Sequence, residues 1–275
     1  MATTCAIGVG VTFGPTNDVQ EVFAATRRAE ELGLDAVGCW DHYHSEQPNW
    51  EMVSGWSIYG YLAAITSRIR LVPMVLCRPN HLLGVLAKES SMLQLASHGR
   101  FDLGIGAGDY PVEFTAWNVP FAPATDRIEL LTESILALRE IWKGELVTFD
   151  GEQVRLTNAG CTPVAPVPPR VVAGVGNSRR LIDAAAPWAD ELNVYEDQAV
   201  FDHARAQLEG AGRADVPVSV FAQREWDRLP DDLPGRLRQW DERGASRYFI
   251  TIGWADDLVE RVEEIAAACD ATASL

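Results

Sequence analysis

The sequence predicts an α/β protein, a (β/α)8 TIM barrel formed by residues 1–275 as one domain. Three observations carry this. Short β-rich apolar runs alternate with amphipathic helical stretches from end to end, and strand–helix alternation with right-handed crossovers produces a parallel sheet. The count is eight strands and about eight helices, the number that closes a barrel. The length, 275 residues, is one at which α/β barrels occur as a single unit. An open doubly wound sheet is the alternative.

The elements follow in order. CAIGVGV (5–11) reads as the first strand, and the helix at 18–33 sets Val22, Ala25, Ala29 and Leu32 on one face before Gly33 stops it. AVGCW (36–40) is the second strand, 52–66 a helix, IRLVPMVL (69–76) the third strand and 82–97 a helix. RFDLGIG (100–106) is the fourth strand. The helix at 126–143 carries the stripe Ile128, Leu131, Ile135, Leu138 and Trp142, with Asp126 and Glu129 spaced as a capping box.

The texture changes at 145–168. Extended runs LVTFD and QVRLT flank Asp150-Gly151, and a proline-rich stretch follows, which predicts a hairpin with an Asp-Gly turn inserted into the barrel, then an extended connector. Alternation resumes with RVVAGV (170–175), a helix from about 178, ELNVY (191–195), a helix at 199–211, PVSVFAQ (217–223) and a helix near 233–243. RYFITIG (247–253) and a helix at 256–269 close the series.

Composition limits the function classes. With 47% apolar and 23% charged residues, the chain can bury a core and is not expected to be disordered. The net charge of −16 argues against nucleic acid and anionic membranes as partners, since both want a basic surface. The five cysteines are odd in number, scattered and free of C-x-x-C pairs, which predicts a reduced, cytoplasmic protein without a zinc site. No run reaches the roughly 18 apolar residues of a membrane span, and no signal-peptide pattern opens the chain.

In a barrel the chemistry sits where the strands end. After the second strand stand Trp40, Asp41, His42, Tyr43 and His44, then Trp50. A histidine there exchanges protons near neutral pH; the plain alternative is a loop-capping Asp41 with surface histidines. After the third strand come Met74, Val75, Cys77 and Arg78. Cys77 lacks a neighbouring base and reads as a buried inert thiol. After the fourth strand, Gly104, Gly106, Ala107 and Gly108 allow a flat or phosphorylated ligand to approach the backbone, and Asp109 is a proton donor if burial favours its protonated form; otherwise it is a turn residue. After the fifth strand, Ala173, Gly174, Val175, Gly176 and Asn177 precede Ser178, Arg179 and Arg180, a plausible phosphate cradle or a glycine turn of purely geometric purpose.

This arrangement resembles the bacterial luciferase-like group of flavin and deazaflavin enzymes, especially the coenzyme F420-dependent oxidoreductases. LLGVLAKESSMLQLASHGRFDLGIGAGD (82–109) and RIELLTESILALREIWKGELVTFDGEQVRL (127–156) carry most of the resemblance, with RVVAGVGNSRR and WADELNVY. It covers roughly residues 5–195. The resemblance implies a luciferase-like barrel with a tricyclic ring across the strand tops. Asp41 and His42 match the Asp-His pair of the family's glucose-6-phosphate dehydrogenase branch, where the histidine faces the reacting region, and Trp50 matches that branch's pocket tryptophan. Met74-Val75 falls where the family carries a non-prolyl cis peptide, and Cys77 where a residue contacts the cofactor. Asp109 matches a glutamate proposed as proton donor, and residues 173–176 the segment around the cofactor's phosphate.

The implied function is hydride transfer between F420 and a small organic substrate, with His42 or Asp109 moving the proton beside Asp41. Backbone at 74–77 and 106–108 would shape the ring site, with residues 173–177 at the phosphate. Arg78, Arg179 and Arg180 are candidates for the cofactor's anionic tail. The lysines that hold a sugar phosphate in the dehydrogenase branch have no counterpart, because the only lysines, Lys88 and Lys143, lie in helices; this speaks against glucose 6-phosphate. A monooxygenase using flavin mononucleotide (FMN) and oxygen is the alternative, and a non-catalytic flavin-binding barrel the third. The family also suggests a homodimer.

Overall fold

The computed structural model describes residues 5–16, 18–47, 50–222, 229–253 and 257–272. Of the expected elements, Gln223 at the end of one strand and Asp256 at the start of the last helix lie outside them. The first half runs β1 (Gly8–Phe13), α1 (Val19–Leu32), β2 (Ala36–Cys39), α2 (Trp56–Ile65), β3 (Arg70–Leu71), β4 (Leu76–Cys77), a 3-10 turn at Arg78–Asn80, α3 (Leu83–Ala96), β5 (Asp102–Gly106), α4 (Pro111–Ala116) and α5 (Ala124–Ile141). The second runs β6 (Val147–Asp150), β7 (Arg155–Ala159), β8 (Arg170–Gly176), α6 (Arg179–Ala185), β9 (Glu191–Tyr195), α7 (Gln198–Gly210), β10 (Val218–Ala222), α8 (Leu233–Glu242), β11 (Arg247–Ile252) and α9 (Leu258–Thr272).

The strand order is β3-β2-β1-β11-β10-β9-β8-β5-β4, every pairing parallel. β3 and β4 are the two ends of one barrel strand. β3 pairs with β2 and β4 pairs with β5, while Leu71 bridges to Phe101, so this broken strand joins the two ends of the sheet and closes an eight-stranded barrel. The sequence reading had one continuous strand at 69–76; the structure corrects it. Residues 72–75 fold inward, with the Met74-Val75 peptide cis. Two glycines make room. A Cβ on Gly38 would lie 1.9 Å from the Val72 carbonyl oxygen, and one on Gly104 would lie 1.8 Å from that of Pro73.

Side-chain alternation divides the barrel. Val9, Val11 and Phe13, Leu103 and Ile105, and Val171, Ala173 and Val175 belong to the large core under the helices. Their alternates point inward and stack in layers. Arg70, Asp102, Arg170, Glu191 and Arg247, at the strand starts, form a charged floor joined by Asp35. Ala36, Val72, Met74, Val172, Phe221 and Phe249 form a separate apolar cluster. Asn193 and Ser219, hydrogen-bonded at 2.9 Å, also face inward.

Several local expectations shift. α1 has the expected stop at Gly33 in the left-handed region, and its N-cap is Asp18, whose carboxylate accepts from Gln20 and Glu21 N–H. α5 starts at Ala124 behind Pro123, so Asp126 lies in the first turn rather than at the cap. α2 starts at Trp56 behind Gly55, later than read. α4, a helix not among the expected elements, begins at Pro111, a residue suited to a first helical turn. The inserted hairpin forms from β6 and β7, but Asp150 pairs with Arg155, so the turn is longer than a two-residue Asp-Gly turn. Glu133 on α5 shapes it by accepting N–H bonds from Glu152, Gln153 and Val154 at 2.8–2.9 Å. Among the described residues, no helix is long and apolar enough to cross a membrane.

Candidate functional site

A cleft of ≈ 460 Å³ opens at the C-terminal ends of the strands. Its walls include Trp40, Asp41, His42, Trp50, Met74, Val75, Cys77, Gly106, Ala107, Gly108, Asp109, Tyr110, Gly174, Val175, Gly176 and Asn177. Thus most of the residues singled out at the strand ends converge on one space, while Tyr43, His44, Arg78, Gly104, Arg179 and Arg180 are not among its walls. Nor is Ala173: it is fully buried on the helix side of β8, because its neighbours Val172 and Gly174 take the inward positions. The glycines also serve a purpose different from the one expected. A Cβ on Gly174 would stand 2.6 Å from Val75 Cγ1, so this glycine receives the inward fold of residues 72–75 rather than a ligand.

Asp41 is an anchor of the rim. It is buried, and its Oδ2 accepts the Cys77 N–H at 2.9 Å and stands 2.8 Å from His81 Nε2; Ser54 Oγ donates to Oδ1 at 3.3 Å. These contacts join the end of β2 to β4 and engage both of its oxygens. Burial, with Asp41 and Glu113 nearby, pushes the Cys77 thiol up to about 12, so it stays protonated and inert.

His42 lines the cleft with its ring 5.2 Å from that of Tyr110 and 6.0 Å from that of Trp40. Its Nδ1 is buried and lies 3.4 Å from Glu113 Oε2, outside good hydrogen-bond geometry. Glu113 comes from α4, is 1% exposed, and escaped the sequence reading because that helix has too few residues to display a period. Its Oε1 accepts the N–H groups of Tyr43 and His44, the latter at 3.1 Å. Burial pushes its carboxyl upward, but His42 and the two backbone donors outweigh that and hold it below the usual range.

Asp109 is at the cleft but exposed, so the burial its proton-donor role requires is absent. Arg78 is buried and spends its guanidinium on Ser134 Oγ and the His81 carbonyl, both at 2.6 Å; it is withdrawn from the anion-binding role expected of it. Arg179 and Arg180 are exposed beyond Asn177. Arg127, also missed, donates through Nε to the carbonyls of Ala107 and Gly108 at 3.3 and 3.1 Å and so fixes that wall. Asn193, Tyr195 and Phe221 complete the inner end; Asn193, polar within an apolar strand, was the visible signal there.

Fold and cleft together define a (β/α)8 barrel with a ligand site on its C-terminal rim. The chain belongs to the luciferase-like monooxygenase family, whose family model matches residues 1–233. An F420-dependent glucose-6-phosphate dehydrogenase of Kineococcus radiotolerans is 36% identical over 230 residues, 78% of this chain and 66% of that protein's length. Among solved structures, an F420-dependent secondary alcohol dehydrogenase in complex with an F420-acetone adduct superposes with a TM-score of 0.81 at 14% identity, covering 98% of this chain and 99% of the other. The EDTA monooxygenase of Chelativorans sp. BNC1 gives 0.81 at 12%, covering 98% and 95%. At such identities these two likenesses establish fold alone.

Proposed function

We propose that this chain is an F420-dependent oxidoreductase that transfers hydride between the deazaflavin and a small organic substrate. The observation that carries the reading is the convergence of His42 with three strand-end segments, 74–77, 106–108 and 174–177, on one cleft. Its volume of ≈ 460 Å³ lies within the roughly 300–1,000 Å³ usual for cofactor clefts, and the small residues Gly106, Ala107 and Gly108 among apolar and aromatic neighbours leave room for a flat ring. The name of the Kineococcus relative supports the same cofactor.

When bound, the deazaflavin supplies the hydride acceptor or donor. Residues of this chain do the rest. Met74, Val75 and Cys77, braced through the bond from the Cys77 N–H to Asp41, form one wall. Gly106, Ala107 and Gly108, fixed by Arg127, continue that wall on the neighbouring strand, where Cys77 pairs with Gly106. Gly174, Val175, Gly176 and Asn177 lead to the exposed Arg179 and Arg180, which receive the anionic side chain. Trp40, Trp50 and Tyr110 exclude water beside His42. His42 takes a proton from a substrate hydroxyl or returns one, and Asp109 stands exposed at the mouth, where water can replace it. Lys88 donates to the Thr162 carbonyl and Lys143 pairs with Glu140, away from the cleft, which supports a substrate other than a sugar phosphate.

One domain over 1–275, a cytoplasmic location and pairing of two copies belong to the same reading; Leu82, Val85 and Met92 leave apolar surface on and beside α3 for a second copy to cover. The test is titration of the purified protein with F420 and, separately, FMN, following quenching of its nine tryptophans. Selective micromolar binding of F420 is expected. Preference for FMN overturns the reading in favour of an oxygen-using monooxygenase, and binding of neither overturns both.

A further inference from the structure

We infer that Glu113 is the positioning residue of His42: it keeps the proton of the neutral imidazole on Nδ1 and thereby makes Nε2 the nitrogen that exchanges a proton with substrate. The function proposed above supplies the reaction; the claim about the ring rests on geometry alone.

The two oxygens of Glu113 have different tasks. Oε1 accepts the backbone N–H groups of Tyr43 and His44, so the carboxylate clamps the loop that carries His42. Oε2 faces His42 Nδ1 at 3.4 Å and receives Asn80 Nδ2 at 3.4 Å. An unprotonated Nδ1 would set its lone pair against a carboxylate that is 1% exposed, where solvent screens the repulsion poorly. Protonated, the same nitrogen is a donor aimed at an anion, and a closure of a few tenths of an ångström makes a charge-assisted hydrogen bond. Nδ1 is itself buried and makes no hydrogen bond among the described residues. The ring is partly exposed at the cleft, leaving Nε2 as the nitrogen for proton exchange. In a neutral imidazole one nitrogen donates and the other accepts, so fixing Nδ1–H fixes Nε2 as the base.

Glu113→Gln separates the two tasks. The amide oxygen is needed by the two backbone N–H groups, so the NH2 takes the place of Oε2, points at Nδ1 and gives up only the long 3.4 Å contact from Asn80 Nδ2. The loop clamp survives, while a donor now faces Nδ1 and drives the proton to Nε2. Wrong-tautomer and general-base losses in enzymes run to about 10²–10⁴-fold in kcat.

The experiment labels the protein with ¹⁵N-histidine, of which there are five, and reads the tautomer of His42 from long-range ¹H–¹⁵N correlations above its titration. His42→Asn assigns the signal. Expected are Nδ1–H in the wild type and Nε2–H in E113Q, with F420 affinity within twofold and kcat down by about 10²–10⁴-fold. A loop clamp without a proton role would leave the tautomer unmoved. Nε2–H in the wild type, an unchanged tautomer in E113Q, or a kcat within threefold of wild type each overturns the inference. If E113Q does not fold, the wild-type tautomer decides. Absence of F420 binding or turnover in the wild type refutes the function proposed above, and the ring measurement still decides the role of Glu113.

Discussion

His42 and Asp109 line the same cleft in unlike surroundings, and the difference ranks them. His42 has its ring between Trp40 and Tyr110 with Glu113 behind it, whereas Asp109 is exposed. A proton-transfer group in a partly dry, oriented setting contributes about 10²–10⁴-fold. His42→Ala is therefore expected to lower kcat by that order while leaving F420 affinity within about twofold. Asp109→Asn should lower kcat less than tenfold, because water at the mouth can replace an exposed carboxylate. Steady-state kinetics beside fluorescence titration checks both; full turnover in His42→Ala, or a larger loss in Asp109→Asn, would reverse the assignment. Legibility differs residue by residue for the same reason. His42 stands next to a strand end and could be found from the chain. Glu113 acts across a gap of seventy residues on Tyr43, and no spacing rule links the two.

At the scale of elements, the broken third strand shapes the site more than any helix does. Its two ends complete the barrel, and its inward middle puts Met74 and Val75 into the cleft wall. β8 accepts that inward fold at Gly174. Gly174→Ala places a methyl group 2.6 Å from Val75 Cγ1, and overpacking of this kind costs about 1–3 kcal/mol. Val75 must move, so F420 affinity is expected to fall about tenfold and Tm by several degrees. An affinity equal to wild type would show that Val75 does not shape the ring wall. Strand–helix alternation makes most elements readable from the chain, since a 3.6-residue stripe and a β-rich run are local properties. The break at 72–75 is not readable in the same way. Residues 69–76 are mostly apolar and read as one strand, although Pro73 within them is a local signal against an unbroken one; the room for the inward fold comes from two distant glycines, Gly38 and Gly104. The α5 boundary moved because Pro123, not a polar side chain, begins the helix.

For the molecule as a whole, the barrel interior runs from charge at the strand starts, through an apolar layer, to the cleft at the strand ends. The floor is balanced: Arg70, Arg170 and Arg247 face Asp35, Asp102 and Glu191. Arg247 is central, 2.6 Å from Glu191 and 3.3 Å from Asp102. Burial works against its charge, but Glu191 and Asp102 more than offset that and raise its pKa above the usual arginine value. Replacing it with methionine keeps the bulk and removes the buried partner of two carboxylates, leaving Asp102 to Arg70 and Glu191 to Arg170, both at the more open edge of the floor. Breaking a buried pair from one side costs about 3–5 kcal/mol, so Arg247→Met is expected to lower Tm by about 10 °C in a chain of this size. The apolar layer of Val172, Phe221 and Phe249 lies between this floor and the cleft, so molecules that remain folded at 25 °C should bind F420 and turn over as wild type does. Thermal melts with kinetics on the same preparation test the division. An unchanged melting temperature would mean that water reaches the floor and screens it, and a lost activity in a fully folded variant would mean that the two ends of the barrel are coupled.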